Sequence, residues 1–296
     1  MNCYKKRSKS VSLALFSFLL AIALSLSGCG GNKENTAASP SAAATVTAAA
    51  TSSPSPSPSP SPQAQPVELT VSAAASLTES LNEIKKTYET EFPHVKIIYN
   101  FGASGTLQQQ IENGAPADLF LSAGKSQMTA LVEKQLVESA ATKNLLINDL
   151  VLIVGADSKD VPASVEDLSK DIYKKLAVGT PESVPAGNYA KEALTYFKLW
   201  DTLQPKMVFT KDVKQVLSYV ETGNTEAGFV YKTDALTSTK VKIALTVDPK
   251  SHKAVEYPMG IIKATKNKAE AEKLYSYLQS KAAMDVFLNY GFTAPQ

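Results

Sequence analysis

Short apolar runs alternate with longer amphipathic stretches from Val67 to the end of the chain. In one stretch, Leu77, Leu81, Ile84 and Tyr88 follow the spacing of a single helical face. A second stripe of this kind comprises Val213, Val216, Leu217 and Val220. The apolar runs predict strands at Glu68–Ser72, Val95–Tyr99, Asp118–Ser122, Leu150–Val154, Leu176–Val178, Gly228–Tyr231, Val241–Leu245 and Tyr257–Ile262. This alternation predicts an α/β fold with mostly parallel sheets and helices on both faces.

The last helix is predicted to run from about Lys268 to Asn289, with Gly291 just beyond it as a C-terminal cap. The part of the chain from Val67 onward is long enough for one large sheet or for two smaller lobes. Periodicity alone does not choose between these two arrangements.

The N-terminus has the pattern of a secretory signal. Basic residues between Lys5 and Lys9 precede an apolar stretch from about Val11 to Leu26, which is shorter than the ~20 residues that span a bilayer. It ends in Leu26-Ser27-Gly28-Cys29, which resembles the lipobox of bacterial lipoproteins. The resemblance implies that residues 1–28 are a lipoprotein signal peptide and that Cys29 carries the lipid. The alternative is an ordinary signal peptide with a chance cysteine.

Residues 29–66 are dominated by Ala, Ser, Thr and Pro, with a Ser-Pro repeat from Ser53 to Pro62. Such a composition cannot bury a core, so we expect a semi-rigid linker after the lipidated cysteine. The protein is then expected at the cell membrane, anchored by lipid on the extracytoplasmic face.

Composition excludes several classes of function. The formal net charge is only +2, from 30 Lys+Arg and 28 Asp+Glu, so nucleic acid is not an expected partner. Of the two cysteines, Cys3 is expected to leave with the signal peptide and Cys29 to be lipidated, which would exclude disulfides and a thiol nucleophile from the folded domain. The two histidines, His94 and His252, lie far apart, so we expect no bare metal cation and no cofactor.

Small residues follow three of the predicted strands and precede helices, at Ala73–Ser76, Phe101–Thr106 and Pro185–Asn188. Such turns let a ligand approach the free N–H groups at helix starts, which favours a small anion. The alternative is helix capping alone, because Ser76 with Glu79 forms an S-x-x-E box and Ser104 could be a simple cap. Asp212 with Gln215 has a similar pattern. Spacing leaves both interpretations open.

Five ordered motifs resemble the periplasmic molybdate-binding proteins, the substrate-binding component of molybdate ABC transporters, here in a lipoprotein form. The resemblance covers Val67–Gln296. It implies a two-lobed periplasmic-binding-protein fold of type II with a hinge, and capture of molybdate or tungstate for an ABC transporter permease. The motifs lie at Ala73–Leu77, Gly114–Phe120, Val184–Leu194, Gly228–Ala235 and Tyr290–Phe292.

The resemblance implies a ligand set position by position. It places hydroxyl ligands at Ser76, Ser104 and Tyr231, and backbone N–H ligands at Ala186 and Val213. One departure is Ala103-Ser104-Gly105, where the family has a serine-rich run, so Gly105 can donate only through its backbone. No Arg or Lys falls on these positions, and the lysines elsewhere are expected to form a solvated surface.

The implied ligands fall into an early and a late set, which favours two lobes that close as a clamp. We expect lobe 1 at residues 67–147 and 254–296, and lobe 2 at residues 148–253. The nearest alternative is a binding protein for another tetrahedral oxyanion such as sulfate. A serine hydrolase lacks support, because neither Ser76 nor Ser104 lies in a G-x-S-x-G motif. A structural or adhesive lipoprotein would explain only the linker, so we expect a monomeric protein that is not an enzyme.

Overall fold

The computed structural model describes residues 65–295. The predicted signal peptide, Cys29 and the linker as far as residue 64 lie outside the described residues. Within residues 65–295, no helix combines the length and the apolar character that a membrane span requires.

Ten strands and nine α-helices are described in this part of the chain. The strands are β1 (Val67–Ala74), β2 (Val95–Gly102), β3 (Leu119–Leu121), β4 (Val137–Asn148), β5 (Leu150–Gly155), β6 (Leu176–Gly179), β7 (Met207–Thr210), β8 (Ala227–Tyr231), β9 (Val241–Thr246) and β10 (Val255–Ile262). The helices are α1 (Thr78–Glu91), α2 (Ser104–Glu112), α3 (Lys125–Glu133), α4 (Pro185–Tyr196), α5 (Trp200–Leu203), α6 (Val213–Glu221), α7 (Lys232–Leu236), α8 (Lys268–Tyr277) and α9 (Lys281–Asn289). Short 3₁₀ turns lie at Ala75–Leu77, Val165–Ser169 and Gln204–Lys206.

The strands form two five-stranded sheets, which confirms the predicted α/β class. Sheet 1 has the order β2-β1-β3-β10-β4, and sheet 2 has the order β7-β6-β8-β5-β9. In each sheet, two pairings are parallel and two are antiparallel, so the sheets are mixed rather than mostly parallel as the sequence predicted. The antiparallel pairings all involve β5 or β10. These are the strands that the chain enters directly after leaving the other sheet, so each runs against its neighbours.

The chain passes between the sheets at two places. One is Asp149, between β4 and β5, and the other is the segment Val247–Ala254, between β9 and β10. We retain the predicted lobes, residues 67–147 with 254–296 and residues 148–253, as a proposal that these two crossings support.

The two predicted helical stripes are buried as expected. Leu77, Leu81, Ile84 and Tyr88 are at most 1% exposed and pack α1 against sheet 1. Val213, Val216, Leu217 and Val220 of α6 are also buried. Burying one such aliphatic side chain contributes ~1.5–3 kcal/mol, so each stripe fixes its helix firmly against the core.

Two strands, β4 and β7, were not predicted from the apolar pattern. Both lie at the edge of a sheet. The first half of β4 is polar and largely exposed, and β7 has only four residues, of which one is buried. An edge strand needs only one neighbour and can face water, so it does not require the apolar run that identifies a central strand.

The prediction of one helix from Lys268 to Asn289 is wrong. Helix α8 ends at Tyr277 and α9 begins at Lys281. The hydroxyl of Ser280 accepts a hydrogen bond from the N–H of Ala283 at 3.3 Å, so Ser280 caps a new helix start. Gly291 has a φ of +91° just after α9, and its N–H donates to the carbonyl of Leu288 at 2.9 Å, as expected of a C-terminal cap.

Candidate functional site

One small cavity brings together all five residues that the sequence singled out. Its volume is about 10 Å³, roughly the size that holds one water molecule. Both sheets contribute to it through the ends of strands and the starts of helices. Its lining, taken over the described residues, carries no charged side chain and consists of Ala74, Ala75, Ser76, Gly102, Ala103, Ser104, Ala123, Val184, Pro185, Ala186, Val213 and Tyr231.

Four helix starts meet at this cavity. They are the 3₁₀ turn at Ala75 and the α-helices that begin at Ser104, Pro185 and Val213. The first N–H groups of a helix have no partner within it, and they lie at the positive end of the helix dipole. Pro185 carries no N–H and sits at the first helical position, where none is needed, so Ala186 provides the first free donor of α4. The cavity is therefore positive without any cationic side chain in its lining.

The backbone of Ala123 orients two of the hydroxyls. Its N–H donates to Oγ of Ser104 at 2.9 Å, and its carbonyl accepts from the hydroxyl of Tyr231 at 3.2 Å. Since the Ser104 oxygen already accepts a hydrogen bond, its own proton remains available to the cavity. Burial raises the pKa of Tyr231 well above its ordinary value, so this hydroxyl keeps its proton. Sequence reasoning missed Ala123, although it follows a predicted strand within a run of small residues.

Neither serine acts as a helix cap, which corrects the capping alternative for both. Helix α1 begins after Leu77 rather than after Ser76, and Oγ of Ser76 lies 2.9 Å from the hydroxyl of Tyr257. Glu79, the other member of the expected capping box, pairs with a lysine instead. Ser104 is the first residue of α2, and Ala103 is its N-cap.

The capping interpretation is correct at Asp212. Its Oδ1 accepts from the N–H of Gln215 at 2.8 Å, and this bond fixes the start of α6. The cap uses a donor deeper in the first turn. The N–H of Val213 remains among the donors that have no partner within the helix, so capping and a binding role coexist here.

A close backbone contact joins the two sheets beside the cavity. The N–H of Gly105, in α2, donates to the carbonyl of Ser183, in the turn before α4, at 2.9 Å. A Cβ on Gly105 would lie 2.7 Å from that oxygen, which is too close for any real side chain. The backbones can therefore approach this closely only because residue 105 is glycine.

Lys214, next to Val213, is not part of a solvated surface, contrary to the sequence-based expectation. Its Nζ lies 2.7 Å from Glu79 and 3.2 Å from Asp234, whose carboxylate is fully buried. Burial raises the pKa of Asp234 to about 6, because it outweighs the attraction of Lys214. Burial also opposes the charge of Lys214, but the attraction of Asp234 and Glu79 is stronger and raises its pKa. The cation nearest to Val213 along the chain is thus neutralised by two carboxylates.

A larger cavity of about 310 Å³ lies beside the small one and shares Pro185 with it. Its lining is charged with both signs, through Lys125, Lys253 and Glu256. It has no convergence of helix starts comparable to that at the small cavity. We therefore place the candidate site in the small cavity and regard the larger one as the adjoining mouth.

The two histidines are held in other surroundings. His94 lies 3.6 Å from Glu270, and Nδ1 of His252 lies 2.7 Å from the carbonyl of Lys253. Between residues 65 and 295, no group of three or more His, Cys, Asp or Glu side chains is placed to hold a metal ion.

Residues 69–293 match the family of bacterial extracellular solute-binding proteins. This match covers well over half of the chain, so the protein belongs to that family.

Individual relatives match the same region. A candidate ABC transporter substrate-binding lipoprotein of Bacillus subtilis, YvgL, is 49% identical over 77% of this chain and 87% of the relative. The molybdate-binding protein ModA of Haemophilus influenzae is 42% identical over 77% of this chain and 90% of its own length. Among solved structures, the substrate-binding domain of a candidate molybdenum ABC transporter from Clostridium difficile is 47% identical. It covers 77% of this chain and 99% of that domain, with a TM-score of 0.61.

The raised pKa of Asp234 predicts a specific pH dependence of stability. Between its ordinary value of 3.8 and about 6, the folded state holds a proton that the unfolded state lacks. The contribution of Asp234 to the free energy of unfolding therefore increases as the pH falls through this window. Relative to the variant Asp234→Asn, which cannot titrate, the wild-type protein should gain stability between about pH 7 and pH 4. Urea unfolding of both proteins across this range measures the difference, and parallel curves would contradict the assignment.

Proposed function

We propose that this protein is an extracytoplasmic binding lipoprotein that captures molybdate, and also tungstate, and delivers it to an ABC transporter permease. One observation carries the proposal. Hydroxyls at Ser76, Ser104 and Tyr231 and N–H groups at Ala186 and Val213 line a single small cavity without a charged side chain. Each of these five groups can donate a hydrogen bond.

The chemistry of the ligand matches this set. Molybdate near neutral pH is a tetrahedral dianion without a proton, so it offers only acceptors. Helix starts supply positive potential, and donors supply directed bonds. Hydrogen bonds to a charged group contribute roughly 1.5–3 kcal/mol each, so a handful suffices for micromolar to nanomolar affinity after the costs of association.

The relatives support the same ligand. Proteins named as molybdate-binding are 42% and 40% identical to this chain over most of their length, in Haemophilus influenzae and Escherichia coli respectively. The five proposed ligands, carried over from the resemblance, lie together in the fold without any adjustment of the assignment. That agreement between two independent arguments favours molybdate over a chemically unrelated solute.

The cavity distinguishes oxyanions because it offers them hydrogen-bond donors and no acceptor for a proton. Hydrogen phosphate carries a proton that needs an acceptor, and a site of donors leaves it unpaired. Sulfate carries no proton, so only its smaller size distinguishes it. Donors held at the spacing that fits molybdate could not all reach the smaller sulfate ion, which would therefore bind more weakly.

Binding requires the hydroxyl group of Tyr231 to rotate. Its proton is directed at the carbonyl of Ala123 and must turn toward the anion. We propose that lobe 1 (residues 67–147 and 254–296) and lobe 2 (residues 148–253) close over the ion as a clamp. The cross-sheet contacts of Gly105 with Ser183 and of Glu79 with Lys214 would stabilise the closed form.

We also propose that the protein is not an enzyme. Ser76 and Ser104 are hydrogen-bonded to a tyrosine and to a backbone N–H, not to a base. Neither His94 nor His252 belongs to the lining of the cavity. Monomeric action at the membrane, through a lipid on Cys29 and the linker that follows it, completes the proposal.

Thermal-shift titration tests the choice of ligand. Molybdate and tungstate should raise the melting temperature, because a ligand at a hundred times its Kd adds about 2.7 kcal/mol to the free energy of unfolding. Sulfate and phosphate at the same concentration should give little or no shift. If sulfate stabilises the protein as strongly as molybdate, the site is a general oxyanion site and the proposed specificity is wrong.

Serine variants test the ligand set. Ser76→Ala and Ser104→Ala should each weaken molybdate binding by about ten- to a hundredfold, since each removes one hydrogen bond to a charged ligand. Calorimetric titration measures the affinity, and circular dichroism checks that the fold is intact. Ser139→Ala is the matched control, because Ser139 is exposed and lies outside both the small cavity and the larger one beside it. Unchanged affinity in the folded Ser76→Ala, Ser104→Ala double variant would rule out this ligand set.

A further inference from the structure

A chain of buried hydrogen bonds lies behind Ser76, and it begins at Asn148. The Oδ1 atom of Asn148 accepts from the N–H of Asp149 at 2.9 Å. This bond fixes the orientation of the amide, because a flipped amide would direct its NH₂ group at another donor. The Nδ2 atom therefore faces the other way, toward Oγ1 of Thr233 at 2.9 Å and the hydroxyl of Tyr257 at 3.3 Å.

The orientation of Asn148 determines the direction of the next bond. Because Nδ2 can only donate, the oxygen of Tyr257 is the acceptor in their contact. The proton of Tyr257 is then free to point at Oγ of Ser76, which lies 2.9 Å away. Tyr257 is only 1% exposed, and burial raises the pKa of its hydroxyl well above the ordinary value. The hydroxyl thus stays protonated and remains a donor.

Ser76 is the last member of this series of hydrogen bonds, and it is the only one of these residues that lines the cavity. When the proton of Tyr257 points at Ser76, the serine oxygen accepts that bond and the single proton of Ser76 is not used in it. The remaining proton is directed away from Tyr257 and toward the cavity. Without Tyr257 behind it, Ser76 could turn and accept a hydrogen bond from a protonated ligand.

We propose that Asn148 and Tyr257 are positioning residues that hold Ser76 as a hydrogen-bond donor and thereby set selectivity for oxyanions without a proton. This inference rests on the proposed function, because it concerns the same cavity and the same class of ligand. Neither positioning residue lines the cavity, so each acts through Ser76.

The hydrogen-bonded series Asn148–Tyr257–Ser76, here called the relay, also connects the two sheets through Asn148. Asn148 is the last residue of β4 in sheet 1, and its amide reaches Thr233 in α7, which follows β8 of sheet 2. The same amide group therefore spans the first crossing between the sheets. The orientation of Ser76 as a donor therefore depends on the relative position of the two sheets in this structure.

A structural role for Tyr257 must be separated from this relay. Its ring packs against Tyr231 and Phe292, with centroids 5.7 Å and 5.3 Å away. The variant Tyr257→Phe keeps the ring and removes only the hydroxyl. Tyr88→Phe is the matched control, because Tyr88 is also fully buried and its hydroxyl has no hydrogen-bond partner among the described residues.

A double-mutant cycle on molybdate affinity tests the relay. Tyr257→Phe should weaken binding about three- to tenfold when Ser76 is present, as expected for the loss of one orienting hydrogen bond. In the Ser76→Ala background the same change should have less than about a twofold effect, because no hydroxyl remains to be oriented. Equal losses in both backgrounds would overturn the relay and leave Tyr257 a packing residue.

A second measurement tests the consequence for selectivity. At about pH 8, sulfate and hydrogen phosphate have the same charge and similar size, and only phosphate carries a proton. At concentrations high enough for both ions to compete with molybdate, sulfate should displace it more effectively than phosphate in the wild-type protein and in Tyr88→Phe. In Tyr257→Phe that preference should fall by about three- to tenfold, since Ser76 can then accept the phosphate proton.

The outcomes separate the two proposals. If the wild-type protein binds molybdate and Tyr257→Phe behaves like Tyr88→Phe in both measurements, the relay is wrong and the proposed function stands. If the wild-type protein binds none of these oxyanions, both proposals fail. A selective loss in Tyr257→Phe that depends on Ser76 supports both.

Discussion

The first N–H groups of a helix cannot find hydrogen-bond acceptors within that helix. In most folds, water or capping side chains satisfy these donors. Here the helix starts at Ser104, Pro185 and Val213 and the 3₁₀ turn at Ala75 meet at one small cavity. Their convergence creates a place where an anion is stabilised by dipoles alone. The hydroxyl groups of the site add hydrogen bonds of fixed direction.

Hydrogen bonds behind the cavity fix the direction in which the serine hydroxyls donate. The N–H of Ala123 occupies the oxygen of Ser104, and the hydroxyl of Tyr257 lies against the oxygen of Ser76. A serine whose oxygen accepts a bond must present its proton elsewhere. Charge is meanwhile kept out of the lining, because Lys214 is held between Glu79 and Asp234. A site built in this way can hold an anion and still release it, since no cation grips the ligand directly.

Much of the fold could be predicted from the sequence, because central strands and amphipathic helices leave regular apolar patterns. The stripes of α1 and α6 are examples, and both are buried as expected. The edge strands β4 and β7 leave no such pattern, because they can face water. The break between α8 and α9 depends on one hydroxyl, that of Ser280, whose choice between continuing and capping a helix is decided by local geometry.

The site was predictable only in part. Spacing indicated an anion at helix starts but could not separate binding from capping at Ser76 and Ser104, and the resemblance supplied the specific residues. Ala123 could have been found by the same small-residue pattern that identified the other turns. Tyr257 and Asn148 could not, because Tyr257 contacts Ser76 from 181 positions away and Asn148 contacts Tyr257 from 109 positions away, and no local pattern encodes such contacts.

In the proposed site, uncharged donors hold an oxyanion that carries no proton. Calorimetric titration with molybdate at about pH 8, in buffers with different ionisation enthalpies, tests whether binding exchanges a proton. Hydroxyls and amides do not titrate there, and Asp234, with a pKa of about 6, is already ionised. We predict the same binding enthalpy in every buffer, which means that no proton is exchanged. An enthalpy that varies with the buffer would reveal proton uptake or release and would contradict this account.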